Sequence, residues 1–475
     1  MNDLTPSPRE AARADYPRPG ARLHLNVFQP FGPIYEWSKT PQPRDYYEPA
    51  KYLELVQDAE RGLFSAIFLG ESLRLREHLG RLNDIAVTGR PDALALFAYL
   101  AAHTQHIGLV ATLNTTYTDP VDLARRIATV DVLSGGRAGW NVVTTDNGWT
   151  GENFRRGGFL DREKRYRYAE EHVAAVQALW DGFAADAVAH DRGAARWGEG
   201  VAEVERRGAH ISLRATPTVP PSPQGQPVYF QAGDSDEGRD FAARRAEGIF
   251  THHVEFDEAV AFTADIRRRA RSYGRPGDDI LVIPGASIVV APTRAEAVEK
   301  HHYYRDLFLN DRRIRQVIEE VWQTDLSHVD LDGPLPDVPP AVDRQSRTHG
   351  IVHTGHEPEV KIRQWRAIAD EHGFTIRQLV RHLVDSRVFL GTPDEVADEL
   401  AHHVRSDAFD GLNVSPNAFP DGVRDIVDLL VPALQERGVY PDAYAGTTLR
   451  ANLGLPETVA HRVPELALLS ASASA

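Results

Sequence analysis

Residues 108–145 read GLVATLNTTYTDPVDLARRIATVDVLSGGRAGWNVVTT, and the fold turns on how they are parsed. The run IGLVATL (107–113) is apolar without alternation, DPVDLARRIATVDVLSGG has apolar residues at helical spacing and closes in glycines, and AGWNVVTT (138–145) is a second apolar run. Continuous apolar runs mark strands buried on both faces, and a helix between two of them is the crossover that parallel strands require. The glycines at the helix end fit the usual stop signal.

Six further runs extend the pattern in both directions: LHLNVF (23–28), SAIFLG (65–70), VYFQAG (228–233), GIFTHH (248–253), ILVIPGASIVV (280–290) and GLNVSP (411–416). Eight runs alternating with helical segments predict an α/β protein, a TIM (β/α)8 barrel. A doubly wound open sheet usually has fewer strands and a glycine-rich phosphate fingerprint after its first one. Here that place is taken by QPFGPIYEWSKTPQP, rich in aromatics and proline, which suits a wall over a pocket. Two spans break the spacing, 182–226 after strand 4 and 292–392 after strand 7, and the second is expected to carry helices that cover the barrel mouth. The expected organisation is a flexible N-terminal arm (1–21), a barrel (22–440) with these two insertions, and a C-terminal extension (441–475) ending in LLSASASA.

The chain of 475 residues has 68 acidic against 53 Lys and Arg residues, a net charge of -15, which repels nucleic acid over most of its surface. With no cysteine there are no disulfides, thiolate metal sites or Cys nucleophile, so redox chemistry needs a borrowed cofactor. No signal peptide or membrane-spanning run is read in the sequence, and a cytoplasmic protein is expected.

In a barrel of this type chemistry sits at the C-terminal strand ends. That rule selects Asn26, Phe28, Glu71, Thr112, Asn114, Asn141 to Thr145, residues 231–235, His252, His253 and residues 413–415, a set rich in amides and hydroxyls and poor in carboxylates. Such a set points to a bound organic cofactor as the carrier of the chemistry. In PVYFQAGDSDEGR (227–239) a strand opens through Gly233, Asp234 and Ser235 into a helix, where unpaired amides and the helix dipole favour an anion. An ordinary capped helix explains the same stretch, and Asp234, Asp236 and Glu237 would repel a phosphate unless they face elsewhere. Arg162 and Tyr166, four apart at the start of another helix, share a face and could both donate to one phosphate. A solvated helix face is the plainer alternative. Paired histidines at 252–253, 301–302 and 402–403 raise the question of metal, but neighbours on a strand point to opposite faces, so no metal site is expected. For Glu71 the plain alternative is a salt bridge to a nearby arginine.

Together, 108–145, 224–251 (QGQPVYFQAGDSDEGRDFAARRAEGIFT) and 411–438 (GLNVSPNAFPDGVRDIVDLLVPALQERG) resemble the bacterial-luciferase-like FMN-dependent monooxygenases. The resemblance is to the branch containing nitrilotriacetate monooxygenase component A, dibenzothiophene-sulfone monooxygenase and pristinamycin IIA synthase, and it extends over most of residues 22–440. It implies a two-component enzyme that takes reduced FMN (FMNH2) from a separate NAD(P)H:flavin reductase, uses O2, and oxygenates a small organic substrate through a flavin C4a-(hydro)peroxide. C–N or C–S cleavage and N- or S-oxidation are all open. It also implies a homo-oligomer, dimer or tetramer. By this resemblance Glu71, Thr112, Arg162, Tyr166, Gly233, Asp234 and Ser235 bind the cofactor, with Glu71 where Asp is more usual and Arg162 where many relatives have His. Asn26, Phe28, Trp37, Asn114, Asn141 and His253 are pocket candidates, and Tyr35, Trp37 and Phe28 are expected to help cover it. The alternatives are a deazaflavin F420-dependent or other flavin oxidoreductase of the same fold, a flavin-binding protein without turnover, and a barrel metal hydrolase using His252 or His253.

Overall fold

The computed structural model describes residues 17, 18, 20–28, 47–71, 73–83, 90–144, 148–154, 162–184, 200–341 and 358–456. Eight parallel strands close into a barrel: β1 (His24–Phe28), β2 (Ala66–Leu69), β3 (Gly108–Asn114), β4 (Ala138–Val143), β5 (Val228–Gln231), β6 (Gly248–Thr251), β7 (Leu281–Val290) and β8 (Gly411–Val414). Each pairs with the next in sequence, and β8 returns to β1 with Asn413 opposite Asn26. All eight apolar runs of the sequence are these strands. The second half of the long β7 leaves β8 and pairs instead with an added strand, Val388–Gly391.

Outward residues such as Leu25, Val27, Ile67, Leu109 and Trp140 pack under the surrounding helices: α1 (Pro49–Arg61), α2 (Ala93–Ala101), α3 (Pro120–Leu133), α4 (Arg162–Asp181), α5 (Asp236–Arg245) and α6 (Phe256–Ser272). Capping fixes where the helices begin. Asp119 accepts from the amides of Val121 and Asp122 with Pro120 as first residue of α3, the combination that the sequence Asp-Pro announces.

Inward residues build the lumen. Phe28, Phe68, Phe230 and Phe250 form an aromatic layer, with Phe28 stacked on Phe250 at 5.8 Å and Phe68 edge-on to Phe230 at 5.8 Å. Glycines on neighbouring strands give these rings their space: a Cβ at Gly248 would lie 2.6 Å from the Phe230 ring, and one at Gly285 3.0 Å from that of Phe250. Phe28, expected in the cover, is therefore part of the barrel interior, because it is the last strand residue and alternation turns it inward.

The barrel floor is closed from far along the chain. A short helix, Leu449–Asn452, sets Leu449 against Gly108, where any Cβ would collide with it, and Leu453 and Leu455 join the same lumen cluster. Beside it Arg450 forms an ion pair with Glu247, both side chains 1% exposed. The 182–226 span contains an antiparallel pair, Val204–Arg207 with Ser212–Ala215. The 292–392 span contains α7 (Arg294–Phe308), α8 (Asp311–Trp322), α9 (Pro358–His372) and α10 (Ile376–Asp385). Of these, α8, α9 and α10 share an apolar cluster of their own around Ile318, Trp322, Trp365 and Leu379. The chain then returns through α11 (Pro393–Arg405), β8 and a helical run over 421–436. At the N-terminus Arg18, counted in the flexible arm, is tied to Asp407 (2.9 Å) and Asp410. No helix of the described residues is long and apolar enough to cross a membrane.

Candidate active site at the strand ends

After β5 the chain turns through Gly233 and Asp234 into Ser235, the N-cap of α5, whose hydroxyl accepts from the Gly238 amide at 3.2 Å. The Gly233 amide donates to the side chain of Gln231 at 2.6 Å. The Tyr166 hydroxyl, reaching over from α4, fills the space that a side chain would take at either glycine. A Cβ at Gly233 would lie 2.7 Å from it and one at Gly238 2.8 Å, and the two glycines themselves touch. The Tyr166 side chain thus meets the Gly233–Ser235 turn, as the sequence reading required. Arg162 begins α4 one turn before Tyr166, and its side chain lies outside the described residues.

The acidic neighbours are accounted for individually. Burial would raise the Asp234 carboxyl, but His253 (3.2 Å), His252 (3.6 Å) and Arg239 (2.9 Å) hold it below its ordinary range. Asp236 is 86% exposed and pairs with Arg269 of α6 at 2.8 Å, and Glu237 is exposed. The repulsion expected of three carboxylates on a phosphate is therefore largely removed: one is neutralised and two lie toward solvent.

The two histidines depart from expectation. Both approach Asp234 and their rings stack at 4.6 Å, because β6 ends at Thr251 and strand alternation no longer applies beyond it. Their nitrogens and the Asp234 oxygen lie within 4.8 Å of one another, close enough for three ligands to share an ion, although Arg239 already competes for that carboxylate. Asp234 raises His253, while burial lowers His252.

Across the mouth, Asn114 donates to the Glu71 carboxylate at 2.8 Å and Asn141 to the Thr112 hydroxyl at 3.0 Å. Burial pushes the Glu71 carboxyl up to about 7 despite the Asn114 hydrogen bond. Arg90 donates to the Glu71 backbone carbonyl at 3.0 Å, a different contact from the salt bridge considered for it. Both side-chain polar atoms of Asn26, and Oδ1 of Asn141 and Asn413, are buried without a hydrogen-bond partner among the described residues. Unsatisfied buried amides cost about 1–3 kcal/mol each, a cost that a bound partner would offset. Trp37 and Tyr35 lie outside the described residues. Sequence reading missed Gly238, whose signal is a second glycine five residues beyond Gly233 in GDSDEG.

Fold and site together define a barrel with a glycine turn closed by Tyr166 after its fifth strand and hydrogen-bonding amides at its mouth, an arrangement suited to a bound organic cofactor. The luciferase-like monooxygenase family model matches residues 34–411, and the chain belongs to that family. It is 36% identical over 452 residues to nitrilotriacetate monooxygenase component A of Aminobacter aminovorans, covering 92% of this chain and 97% of the relative. It is 34% identical over 432 residues to N-acetyl-S-(2-succino)cysteine monooxygenase of Bacillus subtilis (strain 168), covering 90% and 94%. Among solved structures, EDTA monooxygenase from Chelativorans sp. BNC1 superposes with a TM-score of 0.70 at 28% identity, over 92% of this chain and 99% of that one. The chain is a flavin-dependent monooxygenase of the two-component kind that acts on a small organic molecule.

Proposed function

We propose that the flavin is FMN, delivered reduced by an NAD(P)H:flavin reductase, and that O2 is the cosubstrate. The supporting observation is the cradle of Gly233, Ser235 and Gly238 closed by the Tyr166 hydroxyl. It suits a phosphate, because the first-turn amides of α5 lack intrahelical acceptors and point at the turn. Tyr166 then donates from the opposite side.

Bound reduced FMN supplies the electrons that activate O2. The protein's residues bind, orient and exclude water. Phe28, Phe68 and Phe250 form an apolar base beneath the strand ends. The Asn26 amide and the Oδ1 atoms of Asn141 and Asn413 have no hydrogen-bond partner among the described residues, so they can orient a polar ring edge or substrate. Glu71, held near pH 7, can take up or release a proton at its carboxyl while Asn114 fixes its position. The enzyme works in the cytoplasm, as a homo-oligomer.

The test is oxygen uptake by the purified chain with enzymatically regenerated reduced FMN, alongside flavin titration and metal analysis. Stoichiometric FMN binding and substrate-dependent uptake are expected. Bound zinc with no flavin binding would replace this reading with the metal-hydrolase alternative drawn from Asp234, His252 and His253.

A further inference from the structure

Just past β6 the chain sets two imidazoles against one carboxylate. Thr251 ends the strand, its hydroxyl accepts from the His253 amide at 3.3 Å, and the rings of His252 and His253 stack on one side at 4.6 Å. Both reach toward Asp234 in the turn before α5. His253 Nε2 lies 3.2 Å from Asp234 Oδ1 and 3.3 Å from Oδ2, and His252 Nε2 lies 3.6 Å from Oδ2. One donor atom from each of the three residues falls within 4.8 Å of the others.

The two oxygens of Asp234 are engaged differently. Arg239 donates to Oδ1 at 2.9 Å and to the Asp234 backbone carbonyl at 3.0 Å, and it is shared with Asp265 at 3.4 Å. Oδ2 is left to the histidines. Around a tetrahedral ion with ligands at about 2.0–2.1 Å, neighbouring donors stand about 3.3 Å apart. Oδ2 is already at 3.3 and 3.6 Å from the two Nε2 atoms, so small side-chain rotations suffice to admit an ion. The donors are also held from behind, as metal ligands commonly are. Phe262 stacks on the His253 ring at 4.9 Å, Glu258 stands 3.5 Å from its Nδ1, which leaves Nε2 toward Asp234, and Arg239 fixes the carboxylate. An ordinary ion pair with Asp234 accounts for one imidazole and gives no reason for the second to stack beside it. Arg387 opposes a cation at His252, but it is exposed and screened by solvent.

We infer that Asp234, His252 and His253 form an open site for a divalent cation of the Zn2+ type at the barrel mouth, occupied together with the flavin and not in its place. Two imidazoles and a carboxylate suit Zn2+ better than Mg2+ or Ca2+, which prefer oxygen donors throughout. Three protein ligands leave a coordination position for water or an incoming molecule. The cation takes Asp234 by its side chain, and the proposed phosphate takes backbone amides of the same region, so the two do not compete for one atom. The metal site stands on its own geometry, while its coexistence with flavin rests on the proposed phosphate seat.

The full chain, free of any affinity tag and stripped of metal by a chelator, is titrated anaerobically with Zn2+ and separately with Mg2+ by calorimetry, with and without reduced FMN. One equivalent of Zn2+ is expected to bind at micromolar concentrations in both states, with no saturable Mg2+ binding. His252→Gln and His253→Gln should each weaken Zn2+ at least about tenfold. His302→Gln, which removes an exposed histidine of α7, should not. His252→Gln should also leave reduced-FMN affinity unchanged. No saturable Zn2+ binding, Zn2+ affinity that both His252→Gln and His253→Gln leave intact, or displacement of bound FMN by Zn2+ would overturn the inference. Failure of reduced FMN to bind the metal-free parent would strike the functional reading instead, with the Zn2+ titrations still deciding the metal site.

Discussion

The two ends of the barrel treat buried polar groups in opposite ways. At the floor the buried charges are engaged: Arg137 donates to Ser134, Thr104, Ile107 and Ala101, and Asp131 accepts from Ser222, Gln224 and the Ala138 amide. Asp410 accepts from Arg267 and the Val282 amide, and Glu247 holds Arg450. At the mouth Asn26, Asn141 and Asn413 are left with buried atoms unsatisfied, and Arg76 and Arg387 make no ion pair among the described residues. A satisfied polar group stabilises the fold, and an unsatisfied one at a strand end is held ready for something that arrives later.

Substitutions can separate these roles. The largest effect is expected at the floor: Arg450→Met strands the Glu247 carboxylate and should cost about 3–5 kcal/mol in denaturant unfolding. Reduced-flavin affinity of the folded protein should not change. A loss under about 1 kcal/mol would mean that the pair is no more than a surface contact. Next comes Gly238→Ala, whose methyl group would press on Gly233 and the Tyr166 hydroxyl. Flavin affinity should fall by about 100-fold, or 2.7 kcal/mol, measured by anaerobic titration. Unaltered affinity would show that the cradle is not used.

Glu71 gives a pH signature of about 3 kcal/mol in the apoprotein. Its folded pKa of about 7 lies above the ordinary 4.5. The contribution to stability is therefore complete below pH 4.5 and is lost as pH rises through about 7. Glu71→Gln should remove that decline, and parallel pH–stability curves for the two proteins would refute it. Tyr166→Phe removes one donor and should weaken FMN about tenfold. The smallest effect sharpens the contrast most: Arg76→Gln should leave unfolding free energy within about 0.5 kcal/mol of the parent. A loss near that of Arg450→Met would make Arg76 structural.

The strands were legible because a strand buried on both faces leaves an uninterrupted apolar run, and all eight runs became barrel strands. The meeting of Tyr166 with the Gly233–Ser235 turn was legible too, since helical spacing and a capped strand–helix junction are local patterns. What could not be read depends on distance along the chain. Leu449 closes a floor built partly by Gly108, and His78 of the loop after β2 pairs with Glu319 of α8 in the insertion. The histidine pair was misread for a local reason: strand alternation was extended past Thr251, where β6 ends.

Most direct of all is the comparison of reduced FMN with reduced riboflavin, which lacks the phosphate, bound anaerobically to the parent protein and to Gly238→Ala. FMN should bind the parent at least about 100-fold more tightly, and the gap should close in the variant. Equal affinity for both flavins in the parent would contradict a phosphate seat between Tyr166 and the start of α5.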